Sequence, residues 1–224
     1  MYQETRFAAA ENGSEDKWAA MTVIAGGVIV LVGMAVAPPL PWFTSPELPS
    51  STLKVETATG HGSAVHIGDG LVLTAAHVAS DGAAVRLKAD DGTMRDATVV
   101  WSSKGHDIAL LRTSPDGLSA SALNCAPVVK GQAITARGNP LTLEFITTYG
   151  HIVGDAAPVG DWLSAAPVDM TILPGMSGGP AFNASGEVVG ISVAVLTAQL
   201  GYGASFTGIG MIVPAVTICG LLGR

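Results

Sequence analysis

Apolar and polar positions change rhythm twice along the chain. Residues 1–18 are polar, with Glu4, Glu11, Glu15 and Asp16 against Arg6 and Lys17, and they form no apolar stripe. Ala19 to Ala37, AAMTVIAGGVIVLVGMAVA, then runs 19 residues without a charge. Coiled as a helix it rises roughly 28 Å, against a bilayer core of about 30 Å, and so predicts one transmembrane helix over 19–37. Pro38, Pro39, Pro41, Pro46 and Pro49 end it and predict a stiff spacer over 38–57. A cleaved signal sequence competes with this reading, because Ala35-Val36-Ala37 has the small-x-small form of a cleavage site. The acidic n-region, the length of the run and Pro38 after the cut favour retention; a buried core helix would be shorter. Lys17 precedes the run and Glu47 is the first charge after it, which orients the N-terminus inward and exports the remainder.

From about Thr52 the rhythm becomes that of short strands. GSAVHIG (62–68), LVLTAAHV (71–78), AAVRLKA (83–89), DATVVWS (96–102) and DIALLRT (107–113) are separated by Gly and Asp turns. After Pro127 come QAITARG, LEFITTYGHIVG, DWLSAAPVDM, GPAFN, EVVGISVAVL and GIGMIVP. No regular helical segments alternate with them, which argues for an all-β domain rather than a parallel α/β sheet. Two groups of about six strands predict two small barrels packed face to face.

Composition agrees with buried strands and tight turns. Of 224 residues, 13% are charged and 48% hydrophobic, with 28 Gly and 13 Pro, a balance unlike that of disordered chains. A formal net charge of -7 and the lack of a Lys/Arg cluster argue against nucleic acid as a partner. Cys125 and Cys219 are too few for a disulfide-dense framework and lack metal-ligand spacing; a bond between them and two buried thiols both remain open. There is no H-E-x-x-H string, and neither a metal nor another cofactor is expected.

The stretch ILPGMSGGP (172–180) sets Ser177 among three glycines and two prolines. Its plain reading is a surface turn. Its sharper reading is a nucleophile, which needs an oriented base and a carboxylate. Of the five histidines (His61, His66, His77, His106 and His151), His77 stands at the end of the strand-like LVLT within an Ala-Ala-His-Val step that suits one helical turn. Asp107 opens the apolar strand Ile108-Ala109-Leu110-Leu111.

TAAHV (74–78), HDIALL (106–111) and PGMSGGP (174–180), in that order, resemble the three catalytic blocks of chymotrypsin-fold serine proteases, and in motif style the bacterial high-temperature-requirement branch. The likeness spans roughly 58–222. It implies a chymotrypsin-like double β-barrel with a C-terminal helix over 58–224, and a serine endopeptidase acting on peptide or protein substrate. By the same likeness His77 is the general base, Asp107 the orienting carboxylate and Ser177 the nucleophile, with the backbone N–H groups of Gly175 and Ser177 as oxyanion donors. It places the first substrate pocket at Thr171, with walls from Ile191, Ser192, Val193, Ala194, Gly208 and Gly210. A neutral Thr171 and apolar walls imply cleavage after small or medium apolar residues, unless Asp169 reaches the rim. Met176 departs from the aspartate of pancreatic proteases, so activation by a new N-terminus is not expected. The run from Val213 to Leu222 resembles the family's closing helix, which would bring Cys219 toward Cys125. The peptide-binding domain that often follows in the high-temperature-requirement branch is expected to be absent after Arg224. An inactive protease-fold binding module and a membrane-attached structural protein are the rival readings.

Overall fold

The structure is a computed structural model that describes residues 51–79, 83–200 and 203–223. The polar tail, the apolar run over 19–37 and most of the spacer therefore lie outside the described residues. Among those described, no helix is long and apolar enough to cross a membrane.

Six strands form a closed barrel: β1 (Thr52–Glu56), β2 (His61–Gly68), β3 (Leu71–Thr74), β4 (Ala84–Lys88), β5 (Met94–Ser103) and β6 (Ile108–Arg112), in the order β1-β2-β3-β6-β5-β4. Pairing of β1 with β4 closes the ring, with Lys54 opposite Lys88. Alternation explains these strands: in β4, Val85 and Leu87 point inward while Arg86 points out. Leu53, Val55, Val72, Leu87 and Leu111 fill the interior. Strand β1 falls inside the stretch assigned to the spacer; its Leu53 and Val55 are fully buried, so the barrel begins before residue 58.

The second half is a seven-stranded sheet: β7 (Ala133–Gly138), β8 (Ile146–His151), β9 (Ala157–Val159), β10 (Trp162–Val168), β11 (Pro180–Phe182), β12 (Val188–Leu200) and β13 (Gly203–Pro214). The order is β8-β7-β11-β12-β13-β10-β9. Rather than closing along a full strand, it curls until Ile152, just past β8, bridges Val168 at the end of β10. Ile134, Ile172, Met176 and Ile212 pack inside the curl.

A third apolar cluster joins the halves. Val65, Leu73 and Ile108 from the barrel meet Phe182, Ile191 and Val213 from the sheet, and Ile218 of helix α1 (Ala215–Leu221) enters the same cluster. Burial of each such large side chain is worth roughly 1.5–3 kcal/mol relative to exposure. Pro214, at φ -63°, precedes the helix with a torsion already suited to its start. A Cys125–Cys219 disulfide, with Cα atoms 5.9 Å apart, ties α1 to the segment between the halves.

Candidate active site

His77 sits on a single hydrogen-bonded turn after β3, where Val78 N–H donates to Ala75 O at 3.1 Å. Asp107 precedes β6 in the left-handed region, φ 54°, an unusual torsion for a non-glycine residue that aims its carboxylate back at this turn. Two bonds from one histidine seize that carboxylate: the His77 backbone N–H donates to Oδ1 at 2.9 Å, and Nδ1 lies 2.6 Å from Oδ2. Ala76 N–H adds a bond to the Asp107 carbonyl at 3.1 Å. A third donor to the carboxylate is the Trp162 indole N–H, 3.3 Å from Oδ2. The carboxylate is thus buried and held by hydrogen bonds, whereas the His77 side chain is 49% exposed.

Ser177 is carried on a loop stitched between the halves. Ser63 N–H of β2 donates to Ser177 O at 2.8 Å, and Gly178 N–H donates to Ser192 O of β12 at 2.7 Å. Gly178 is at φ 86°, and a Cβ there would fall on the Ser63 carbonyl oxygen and the Thr74 hydroxyl. Only glycine permits this approach, which lays the serine loop against the end of β3, three residues before His77. The Ser177 hydroxyl turns to Val193 O at 3.5 Å and makes no hydrogen bond to His77 in this conformation.

The backbone around Gly175 is held equally tightly. Leu141 N–H takes Pro174 O at 3.0 Å, and the Ser63 hydroxyl takes Gly175 O at 2.7 Å. Met176 O accepts from Gly179 N–H at 3.0 Å. Because a trans peptide points its N–H opposite its C=O, these bonds turn the Gly175 and Ser177 N–H groups away from the acceptors' side. Neither N–H donates to a backbone acceptor among the described residues. Gly175 itself, at φ 95°, has no room for a Cβ beside Asn139 O and His61 Nε2. Met176 is buried in the sheet core.

His77, Asp107, Trp162 and Val193, with Lys104 and Asp161 at the rim, line a cavity of about 370 Å³. The expected pocket residues separate. Thr171 is exposed, whereas its neighbour Ile172 is buried against Gly210, where an added Cβ would meet Ile172 Cδ1 at 2.5 Å. Ile191 is wholly in the core and Ser192 is 1% exposed, so neither offers a free wall; Val193 reaches the cavity. Ala194 is half-buried, and Gly208 is exposed with open space beside it. Asp169 is engaged by His151: its Oδ1 accepts from His151 N–H at 2.5 Å and its Oδ2 lies 3.4 Å from His151 Nδ1. Other histidines have local duties. Buried His66 bridges Ser119 O and Gly70 N–H, and His61 Nε2 binds Asn139 O. Trp162 and Ser63, whose hydroxyl accepts from Asn139 N–H at 2.9 Å, carried no sequence signal beyond an aromatic in a strand and a turn-forming residue.

A model of the trypsin-like peptidase domain matches residues 62–191, a span that contains His77, Asp107 and Ser177. The chain belongs to this family. Among curated relatives, a probable periplasmic serine endoprotease DegP-like protein of Halomonas elongata is 34% identical over 142 residues, covering 62% of this chain and 30% of that protein. Its counterpart from Rhizobium meliloti is 35% identical over 156 residues, covering 66% and 29%. The chain thus spans about 30% of the length of the curated relatives it matches. Of solved structures, the HtrA-type protease AlgW with tripeptide aligns at TM-score 0.69 and 25% identity, covering 79% of this chain and 60% of that one. The Rv3671c protease in its inactive form aligns at TM-score 0.67 over 78% and 88%; at 21% identity it shows the shared fold alone.

Proposed function

We propose that the chain is a serine endopeptidase in which His77, Asp107 and Ser177 act as one unit. The observation that carries this reading is the 2.6 Å contact between His77 Nδ1 and Asp107 Oδ2, with the serine loop packed against the end of β3. For attack, the Ser177 hydroxyl leaves Val193 O and presents its proton to His77 Nε2. The Asp107 carboxylate fixes Nδ1–H as the donor and stabilises the imidazolium that forms. The substrate carbonyl oxygen gains negative charge as Oγ bonds to carbon, and the Gly175 and Ser177 N–H groups are the donors that meet it. The imidazolium then gives its proton to the leaving amine, and an acyl-enzyme remains. Water, deprotonated by His77, releases it and restores Ser177.

Ile172 filling the space beside Gly210, with Val168 the next side chain there, supports cleavage after small or medium apolar residues. An unpaired lysine or arginine buried in such a place would cost several kcal/mol. The uncharged run from Ala19 to Ala37 supports single-pass attachment with the peptidase domain outside the cytoplasm, in keeping with the periplasmic assignment of the Halomonas relative. Resistance of the full chain to alkaline carbonate extraction tests the anchor; a mature N-terminus at Pro38 and a soluble product would replace it with secretion.

Fluorophosphonate labelling tests the activity. Native protein should label at Ser177, and Ser177→Ala and His77→Ala should not. Asp107→Asn should lower turnover by as much as about 10,000-fold through the wrong imidazole tautomer. Folded wild-type protein that neither labels nor cleaves a broad peptide library would instead be a binding module.

A further inference from the structure

We propose that Glu144 is a positioning residue for the Gly175 loop, tying its half of the molecule to the barrel through Lys54 and Lys88; this rests on the peptidase reading above. Lys54 on β1 and Lys88 on β4 stand directly opposite each other in the closing pair of the barrel. Like charges in that register repel. Glu144, from the loop after β7, reaches between them: Lys54 Nζ donates to Oε1 at 2.8 Å and Lys88 Nζ to Oε2 at 2.6 Å. The hydrogen bonds from Lys54 and then Lys88 hold the Glu144 carboxyl at about 2, so the bridge is ionised across neutral and mildly acidic conditions.

The bridge fastens a loop that would not hold its own shape. Leu141 and Phe145, either side of Glu144, both have left-handed torsions, φ 53° and 54°. Such torsions persist in non-glycine residues only where surroundings impose them. Phe145 N–H is held by Asn139 Oδ1 at 3.0 Å, and Arg137 lies 5.6 Å from the Phe145 ring centroid. At the other end, the left-handed Leu141 is the residue whose N–H takes Pro174 O at 3.0 Å. That bond sets the plane of the Pro174–Gly175 peptide and hence the direction of the Gly175 N–H. The path therefore runs from two lysines on the barrel wall to Glu144, along the backbone of the same loop to Leu141, and through the Leu141 N–H bond to Pro174 O to an oxyanion donor. Glu144 bonds to Lys54 and Lys88 and, among the described residues, makes no hydrogen bond to His77, Asp107 or Ser177.

The test uses the full chain, with Glu144→Gln and, from the other side of the bridge, Lys54→Met/Lys88→Met, both compared with wild type by near-UV circular dichroism. In each, kcat and affinity for a peptide boronate, whose tetrahedral adduct puts an oxygen in the oxyanion position, should fall together by about 10-fold. This is less than the roughly 100- to 1,000-fold expected when an oxyanion donor is removed outright. KM should change little, and a substrate peptide should bind a Ser177→Ala background equally well with and without Glu144→Gln. The triple variant should lose no more than the worse of the two, since they break one bridge. Unchanged kcat and boronate affinity in both variants overturn the proposal. So does a loss confined to KM, or one that tracks loss of folded protein and of ground-state peptide binding. Wild-type protein that fails to react with boronate or fluorophosphonate would overturn the peptidase reading itself, and this with it.

Discussion

Trp162, on β10 of the second sheet, donates its indole N–H to Oδ2 of Asp107, which lies before β6 of the barrel. The same oxygen faces His77 Nδ1, so a side chain from one half of the molecule steadies the carboxylate supplied by the other. The same tryptophan lines the cavity beside His77.

Trp162→Phe keeps an apolar ring in the cavity and deletes the donor. A hydrogen bond to a charged group contributes about 1.5–3 kcal/mol, and at 3.3 Å with two shorter donors on the same carboxylate the lower end applies. Steady-state kinetics should show kcat lower by about 10-fold, with KM close to wild type. Trp162→Ala should raise KM as well, because the cavity loses its wall. Equal kcat in Trp162→Phe and wild type would mean that His77 alone orients Asp107.

What was legible in the sequence was local. Val85 and Leu87 alternate with Arg86 and Lys88, and the three strings around His77, Asp107 and Ser177 stand beside Gly, Pro or strand signals. Strand β9 is three residues, Ala157–Val159, around a proline, and offers no period to read. The Glu144 bridge spans 90 and 56 positions to its lysines and depends on β1 meeting β4, which no local pattern encodes. Pocket residues suffered similarly. Thr171 and Ile172 are adjacent, and only the packing of the turn decides which side chain faces inward to Gly210 and which faces water.

Ile172 gives a test of specificity. It is 3% exposed and fills the space beside Gly210 and Val168. Ile172→Ala should extend the peptide-library cleavage profile from Ala, Val, Leu and Met toward Phe before the scissile bond, at a stability cost of about 2–5 kcal/mol. Cleavage after Lys or Arg should stay low in both proteins, because Asp169 is engaged by His151. Dominant cutting after basic residues would show that a carboxylate enters the pocket.

Acid titration separates Glu144 from the other carboxylates. Its folded value, about 2, lies below the unfolded 4.5, so its contribution is present above about pH 4.5 and is lost as pH falls through about 2. Lys54 is raised, chiefly by Glu144, so its share is present below 10.5 and is lost only as pH rises through its higher folded value. Urea midpoints of wild type and Glu144→Gln should therefore differ steadily from about pH 5 to 10 and converge between 4.5 and 2. High salt should narrow the gap, since the Glu144 side chain is 31% exposed. A gap independent of pH would assign the loss to packing rather than charge.

The disulfide makes a prediction about the whole domain. Cys219 is buried on α1 and Cys125 lies on the exposed segment between the barrel and the sheet, 94 positions earlier. A bond closing so long a loop restricts the unfolded chain, by on the order of 4 kcal/mol in the chain-entropy model. The folded chain depends on it less, because Ile218 anchors α1 in the apolar cluster shared by the two halves. Cys125→Ala/Cys219→Ala should therefore unfold at lower urea by an amount equivalent to about 2–4 kcal/mol while keeping wild-type kcat below its transition. Wild-type protein in excess reductant should move to the same midpoint, and the variant should not respond to reductant at all. A reduced wild type that retains its oxidised midpoint would show that helix packing, not the covalent link, holds α1 against the two halves.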